Sequence, residues 1–266
     1  MEALITKRPF LVFPGADILY HIDLTGAFGP HGGLPVPGAL DIVPTCVRVT
    51  HIFEEENTLW SIDQHPEGHI SDVASYKKGL IFPNITPLTP ENLLVWGPGC
   101  LLPKALFTFD ELQVYAAAVI KRLGSDHPQI IWNTHGRPNS GQDQILPSFE
   151  EAYGKVPESH KIYKGTDVKC DSHSGAFDAL GRPTRFVTEE LVQRPKVKRI
   201  FLTCLALNIC VAYTALDLVK LGYEVIIILD ATRGIDFGGI GYPLMILELV
   251  NAGVKFIFSD QLVRAD

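Results

Sequence analysis

Short apolar runs rich in β-branched and aromatic residues alternate with stretches of helical periodicity along almost the whole chain, and no other feature narrows the possible folds as much. Runs of this kind are buried on both faces, as the strands of a parallel sheet are when crossover helices cover them. Seven runs are strand candidates: Asp17–Asp23, Thr58–Asp63, Gln129–Thr134, His160–Lys164, Arg199–Leu205, Glu224–Asp230 and Val254–Phe258. Helical patterns occupy Gly38–Glu55, Thr108–Leu123, Thr188–Arg194, Ile209–Leu221 and Ile240–Asn251. Thr108-Phe-Asp-Glu111 has capping-box spacing, and Gly124 and Gly222 stand where helices stop. The expected fold class is α/β: a three-layer, doubly wound, mostly parallel sheet, with the seven runs side by side. No internal repeat or low-complexity tract divides the chain, so residues 1–266 read as a single domain. An insertion is expected at about 71–128, where Ser71–Pro103 is rich in Pro and Gly and weakly periodic.

Composition removes several function classes. Lys and Arg number 23 against 30 Asp and Glu, a net charge of −7, which disfavours a nucleic-acid partner. No run approaches the roughly 20 apolar residues of a membrane span, and the start, MEALITKRPF, lacks the pattern of a signal peptide. The expectation is a soluble cytoplasmic chain with neither a nucleic acid nor a membrane as partner. Five cysteines, widely spaced and without C-x-x-C, suggest neither a disulfide framework nor a thiolate zinc knuckle.

In an open parallel sheet, ligands bind beyond the carboxyl ends of the strands. Asp23 closes the first run, Asp63 and then His65 follow the second, His135 follows the third, Lys164 closes the fourth, and Cys210 lies just past the fifth at the start of a helix. One rim thus collects acids, imidazoles, an amine and a thiol. A cysteine at a helix N-terminus is favoured as thiolate, which makes Cys210 the candidate nucleophile. A nearby ammonium would lower its pKa further and a carboxylate would take its proton, roles that Lys164 and Asp23 suit. The alternative, three ordinary core or surface residues, weakens because all three share a rim. Asp63-Gln-His65 puts a carboxylate and an imidazole on the same side of extended chain, a ligand pair suited to zinc, iron or manganese. His135 is the choice for a third ligand, and His69 is an additional or outer ligand candidate.

Four segments carry a resemblance to a known family. Asp23-Leu-Thr-Gly-Ala-Phe28, followed by Gly32-Gly33-Leu-Pro-Val-Pro-Gly38-Ala39, is similar to its strand-end aspartate, Phe and Val-Pro-Gly-Ala helix start, with Thr25-Gly26-Ala27 in place of Gln-Asn-Asp. Asp63-Gln-His65-Pro66-Glu-Gly-His69-Ile-Ser71 resembles a D-W-H-P-x-x-H-x-S metal loop, and Trp132-Asn-Thr-His135 resembles W-P-x-H. Tyr163-Lys164-Gly165-Thr166, then Asp171-Ser-His-Ser174-Gly175-Ala-Phe177, look like the lysine segment and its continuation. Thr203-Cys204-Leu205-Ala206-Leu207-Asn208-Ile209-Cys210-Val211 is similar to the nucleophile turn G-x-A-[TL]-[DE]-x-C-V, with Cys204 for Gly and Asn208 for the acid; Asp230-Ala-Thr-Arg233-Gly-Ile-Asp236 also agrees. On these residues the chain resembles the nicotinamidase and pyrazinamidase group of the isochorismatase-like cysteine hydrolases.

The resemblance implies the isochorismatase-like hydrolase fold and hydrolysis of nicotinamide to nicotinate and ammonia through a cysteine thioester. It implies a Cys210, Lys164, Asp23 triad, an oxyanion hole from the Ala206 and Cys210 amides, and a cis peptide between Ala206 and Leu207. It also implies one divalent metal ion, zinc foremost with iron or manganese as alternatives, held by Asp63, His65 and His135, and a substrate ring flanked by Phe28, Trp132 and Leu207. The partner implied is a small amide; relatives in the family are often oligomeric, so a homo-oligomer is a further expectation. Two other readings stay open: an isochorismatase-like amidase acting on a carbamoyl or ureido group, and a noncatalytic member serving as an interaction module.

Overall fold

In a computed structural model that describes residues 9–79, 86–235 and 241–265, the alternation in the sequence resolves, among the described residues, into ten strands and seven α-helices. In chain order they are β1 (Phe10–Val12), β2 (Asp17–Ile22), α1 (Val43–Thr50), β3 (Thr58–Asp63), β4 (Thr86–Leu88), α2 (Pro90–Trp96), α3 (Phe109–Leu123), β5 (Gln129–Ile131), α4 (Pro147–Tyr153) and β6 (Lys161–Lys164). There follow α5 (Leu191–Gln193), β7 (Arg199–Leu205), α6 (Ala212–Lys220), β8 (Glu224–Arg233), α7 (Gly241–Asn251), β9 (Lys255–Ile257) and β10 (Leu262–Arg264).

Six strands form the central sheet in the order β6-β3-β2-β7-β8-β9, and every neighbouring pair in it is parallel. Successive side chains of a strand point to opposite faces, and the core divides accordingly. Leu19, Phe201 and Ile226 pack with Val43, Cys46 and Val49 of α1 and Phe149 of α4. Ile18, Tyr20, Ile200 and Leu202 pack on the other face with Ala215 and Leu218 of α6 and Leu249 of α7. This is the three-layer α/β arrangement expected. β1 and β10 pair separately beside it.

Gln129–Thr134 is not a strand of this sheet. Its first three residues form β5, which pairs antiparallel with β4, so the sheet is narrower than the sequence suggests. The reason is a third apolar cluster: Ile131 packs with Leu88, Leu93, Leu112, Tyr115 and Val119, and the Tyr115 hydroxyl donates to Gln129 Oε1 at 2.6 Å. The 71–128 stretch is therefore partly ordered around its own core rather than a bare covering loop. Within it α3 starts on the expected capping box, with Glu111 N donating to Thr108 Oγ1 and Thr108 N to Glu111 Oε2. Gly38–Glu55 contracts to α1, and Thr188–Arg194 becomes a wide π-type turn over Phe186–Glu190 that runs into α5. Asp236 and Ile240 lie outside the described residues. No helix among the described residues is long and apolar enough to cross a membrane.

Candidate active site

The carboxyl ends of β2, β3, β6 and β7 lie side by side, and the residues that terminate them converge. Lys164, the last residue of β6, is the hub. Its Nζ sits 2.9 Å from Asp23 Oδ2 and donates to Asp63 Oδ1 at 2.6 Å, to the Ser172 carbonyl at 2.9 Å and to Cys210 Sγ at 3.7 Å. Asp23, just beyond β2, is wholly buried; its Oδ1 accepts from Ser61 Oγ at 2.6 Å, and Ser61 Oγ in turn accepts from the Asp23 amide. Cys210 comes from a wide turn, Leu207–Val211, that opens α6. A cis peptide does lie in this turn region, but it joins Leu205 to Ala206, one bond before the position the resemblance implies.

Burial sets the electrostatics. Desolvation works against the Lys164 ammonium, yet Asp23 and Asp63 overcome it and raise its pKa well above the usual lysine value, so it is charged. Asp23 is pushed up, because burial and the neighbouring Asp63 charge outweigh the pull of Lys164. Burial also raises the Cys210 thiol well above the ordinary value, more than Lys164 lowers it. The helix-start argument alone pointed the other way; the missing quantity was desolvation.

Asp63, His65 and His135 offer ligand atoms that all lie within 4.8 Å of one another. His135 Nδ1 donates to the Asn133 carbonyl at 2.6 Å, which leaves the Nε2 lone pair of the neutral ring facing Asp63 Oδ2 at 3.0 Å. A lone pair aimed at a carboxylate calls for a cation or a proton between them. His65 Nε2 is buried, makes no hydrogen bond among the described residues, and stands 3.5 Å from Asp63 Oδ1 and 3.2 Å from Asp171 Oδ1. The set fits a divalent cation on both counts, and one carboxylate with two imidazoles suits borderline metals. The His69 ring stacks on His65 at 4.3 Å between centroids, and burial keeps it neutral down to about 3. Two glycines make room for these ligands. A Cβ at Gly165 (φ +69°) would lie 2.6 Å from His65 Cδ2, and one at Gly136 (φ +59°) 2.6 Å from the Asp63 carbonyl.

Above these groups is a small cavity lined by Phe28, Trp132, Asp63, His65, His135, Lys164, Ala206 and Cys210, among others. Phe28 and Trp132 thus stand in its wall. Leu207 does not line it; that side chain packs in the core cluster with Ile22, Leu202 and Val211. Asp171, Ser172 and His173 line the cavity too, and sequence reasoning assigned them no role. The readable signal was Asp171-x-His173, the same spacing as Asp63-x-His65. Also missed was Arg137, whose Nη1 donates to the carbonyls of His65 and Pro66 while Nη2 pairs with Asp72, clamping the metal loop from outside.

Comparison with known proteins finds relatives over most of the chain. Residues 184–254 match the Isochorismatase domain family. A nicotinamidase of Escherichia coli (strain K12) is 31% identical over 235 residues, covering 87% of this chain and 90% of its own. The nicotinamidase pyrazinamidase of Acinetobacter baumanii superposes with a TM-score of 0.70 at 24% identity, over 93% of this chain and 98% of its own. A pyrazinamidase of Pyrococcus horikoshii, solved in complex with zinc, gives 0.58 at 22% identity over 91% and 98%. With that identity sustained over nearly the whole of both sequences, the chain belongs to the nicotinamidase group of the isochorismatase-like amidohydrolases.

Proposed function

We propose that this protein hydrolyses nicotinamide to nicotinate and ammonia, with Cys210 as nucleophile. The observation that carries the proposal is Lys164 Nζ, which links Asp23 and Cys210 at the floor of a small cavity walled by Phe28 and Trp132. Asp23, with its raised pKa, is a stronger base than an ordinary carboxylate; it takes the thiol proton as Cys210 Sγ attacks the amide carbon, then delivers it to the departing ammonia. Lys164 stays charged throughout and holds the Asp23 and Cys210 side chains in register. The amides of Ala206 and Cys210 serve the developing oxyanion, each worth about 3–4 kcal/mol of barrier. Water guided by Asp23 then releases the acid from the thioester. Phe28 and Trp132 flank the flat ring. Asp63, His65 and His135 would hold one divalent cation, zinc in the first instance, which supplies Lewis acidity toward the ring nitrogen. In the same reading the chain is a single domain into which 71–128 is inserted.

The test is ammonia release from nicotinamide and a panel of primary amides, with metal content measured on the same sample. Wild type is expected to release ammonia, and Cys210→Ala to lose about 10⁴-fold or more. Release undiminished by Cys210→Ala would overturn the assignment. Wild-type protein that carries no transition ion and cleaves carbamoyl or ureido substrates instead would move it to the rival amidase class.

A further inference from the structure

A second group of metal-ligating side chains lies in the core near the nucleophile turn, and the proposed reaction does not use it. His21 comes from β2, two residues before Asp23; Cys204 comes from β7, six before Cys210; Cys46 comes from α1. All three are 0% exposed, and their ligand atoms lie within 4.8 Å of one another. Cys46 Sγ is 3.7 Å from Cys204 Sγ, and Cys204 Sγ is 3.4 Å from His21 Nδ1. Metal–sulfur and metal–nitrogen bonds of ~2.3 and ~2.0 Å at a tetrahedral centre imply sulfur–sulfur and sulfur–nitrogen separations of ~3.8 and ~3.6 Å. Both of these separations already match that spacing.

Hydrogen bonding sets the imidazole for the same purpose. The Thr50 hydroxyl donates to the Cys46 carbonyl at 2.7 Å, so toward His21 Nε2, 2.9 Å away, it must accept. The proton therefore sits on Nε2, and the Nδ1 lone pair faces Cys204 Sγ and Thr203 Oγ1, the latter at 2.6 Å. Fixing a ligand histidine through its other nitrogen is how metal sites orient imidazole. Trp60 stacks on the ring at 5.2 Å between centroids and holds its plane. Cys204 has φ +80°, a conformation glycine adopts freely and a thiol-bearing residue rarely, at a position where the resembled motif has glycine.

We propose that His21, Cys46 and Cys204 form a second, structural metal site that takes a thiophilic divalent cation of the zinc class. Two thiolates and a neutral imidazole around a divalent ion make an uncharged unit, the form that tolerates the dry interior. Binding releases the thiol protons to solvent and moves the Thr203 hydroxyl off Nδ1. Because the group is enclosed, the ion enters as the chain folds.

The full chain produced in cobalt-supplemented medium tests this, with Co²⁺ as the probe. Thiolate-to-cobalt charge transfer absorbs in the near ultraviolet, and the Asp63, His65, His135 set has no sulfur to produce it. Wild type is expected to show the band and about two metal equivalents. Cys204→Gly, which suits the local backbone, and Cys46→Ser are each expected to lose the band and about one equivalent, while Asp63→Asn keeps the band. Wild type without the band, a band that survives in both cysteine variants, or a Cys46–Cys204 disulfide in the peptide map of the wild type would overturn the proposal.

Discussion

At the scale of single residues, Cys210 shows how burial and charge compete for one proton. The Lys164 ammonium favours the thiolate, but loss of hydration and the Asp23 charge favour the thiol, and the latter prevail. The sign follows directly: an acid whose pKa is raised stays protonated, and so less nucleophilic, to higher pH. Alkylation of the Cys210 peptide by iodoacetamide should therefore keep accelerating past about pH 9.5, a unit above the ordinary thiol pKa, by which an ordinary thiol has levelled off. A plateau below that pH, read by mass spectrometry, would contradict it. Cys210, Lys164 and Asp23 were all legible in the sequence because each ends a strand or starts a helix. Their protonation was not, because desolvation depends on atoms brought from other segments of the chain.

At the scale of elements, the segment after β5 carries His135 to the rim although β5 is no strand of the central sheet. Tertiary contacts do what sheet pairing was expected to do: Trp132 bridges to Asp72, His65 N donates to the Gly136 carbonyl, and Arg137 grips two carbonyls of the metal loop. Asp72 is 2% exposed and also accepts from Thr134 Oγ1 and Ala74 N, so it keeps partners when Arg137 is removed. Arg137→Gln is accordingly expected to cost about 1–3 kcal/mol in urea unfolding. It should also weaken divalent-metal binding by about 10-fold or more in a calorimetric titration, as losses around ligands do. Unchanged metal affinity would remove the clamp from the account. The helix α3 was readable from its capping box and its long periodic face, whereas α2 and α4, seven residues each and led by proline, give too few turns for periodicity to register.

At the scale of the whole molecule, the candidate ligand Asp63 ends a central strand and His65 lies just beyond it, while His135 arrives from a segment outside the sheet, so an ion held by the three would tie two parts of the structure together. Dialysis against a chelator is expected to lower the midpoint of thermal unfolding. Restoring the divalent ion at a hundred times its dissociation constant should return about 2.7 kcal/mol, measured by calorimetry at fixed protein concentration; an unchanged midpoint would count against the Asp63, His65, His135 assignment. The sequence by itself determined the α/β class, the strand termini and the residue types gathered on one rim, because hydrophobic period and strand-end chemistry are local properties of the chain. Only the tertiary structure decided that Gln129–Ile131 leaves the sheet, that Leu207 turns to the core while Asp171 and His173 reach the cavity, and that Cys210 is held as a thiol. Those outcomes depend on distances and on exclusion of water between segments far apart in the chain, which no local pattern encodes.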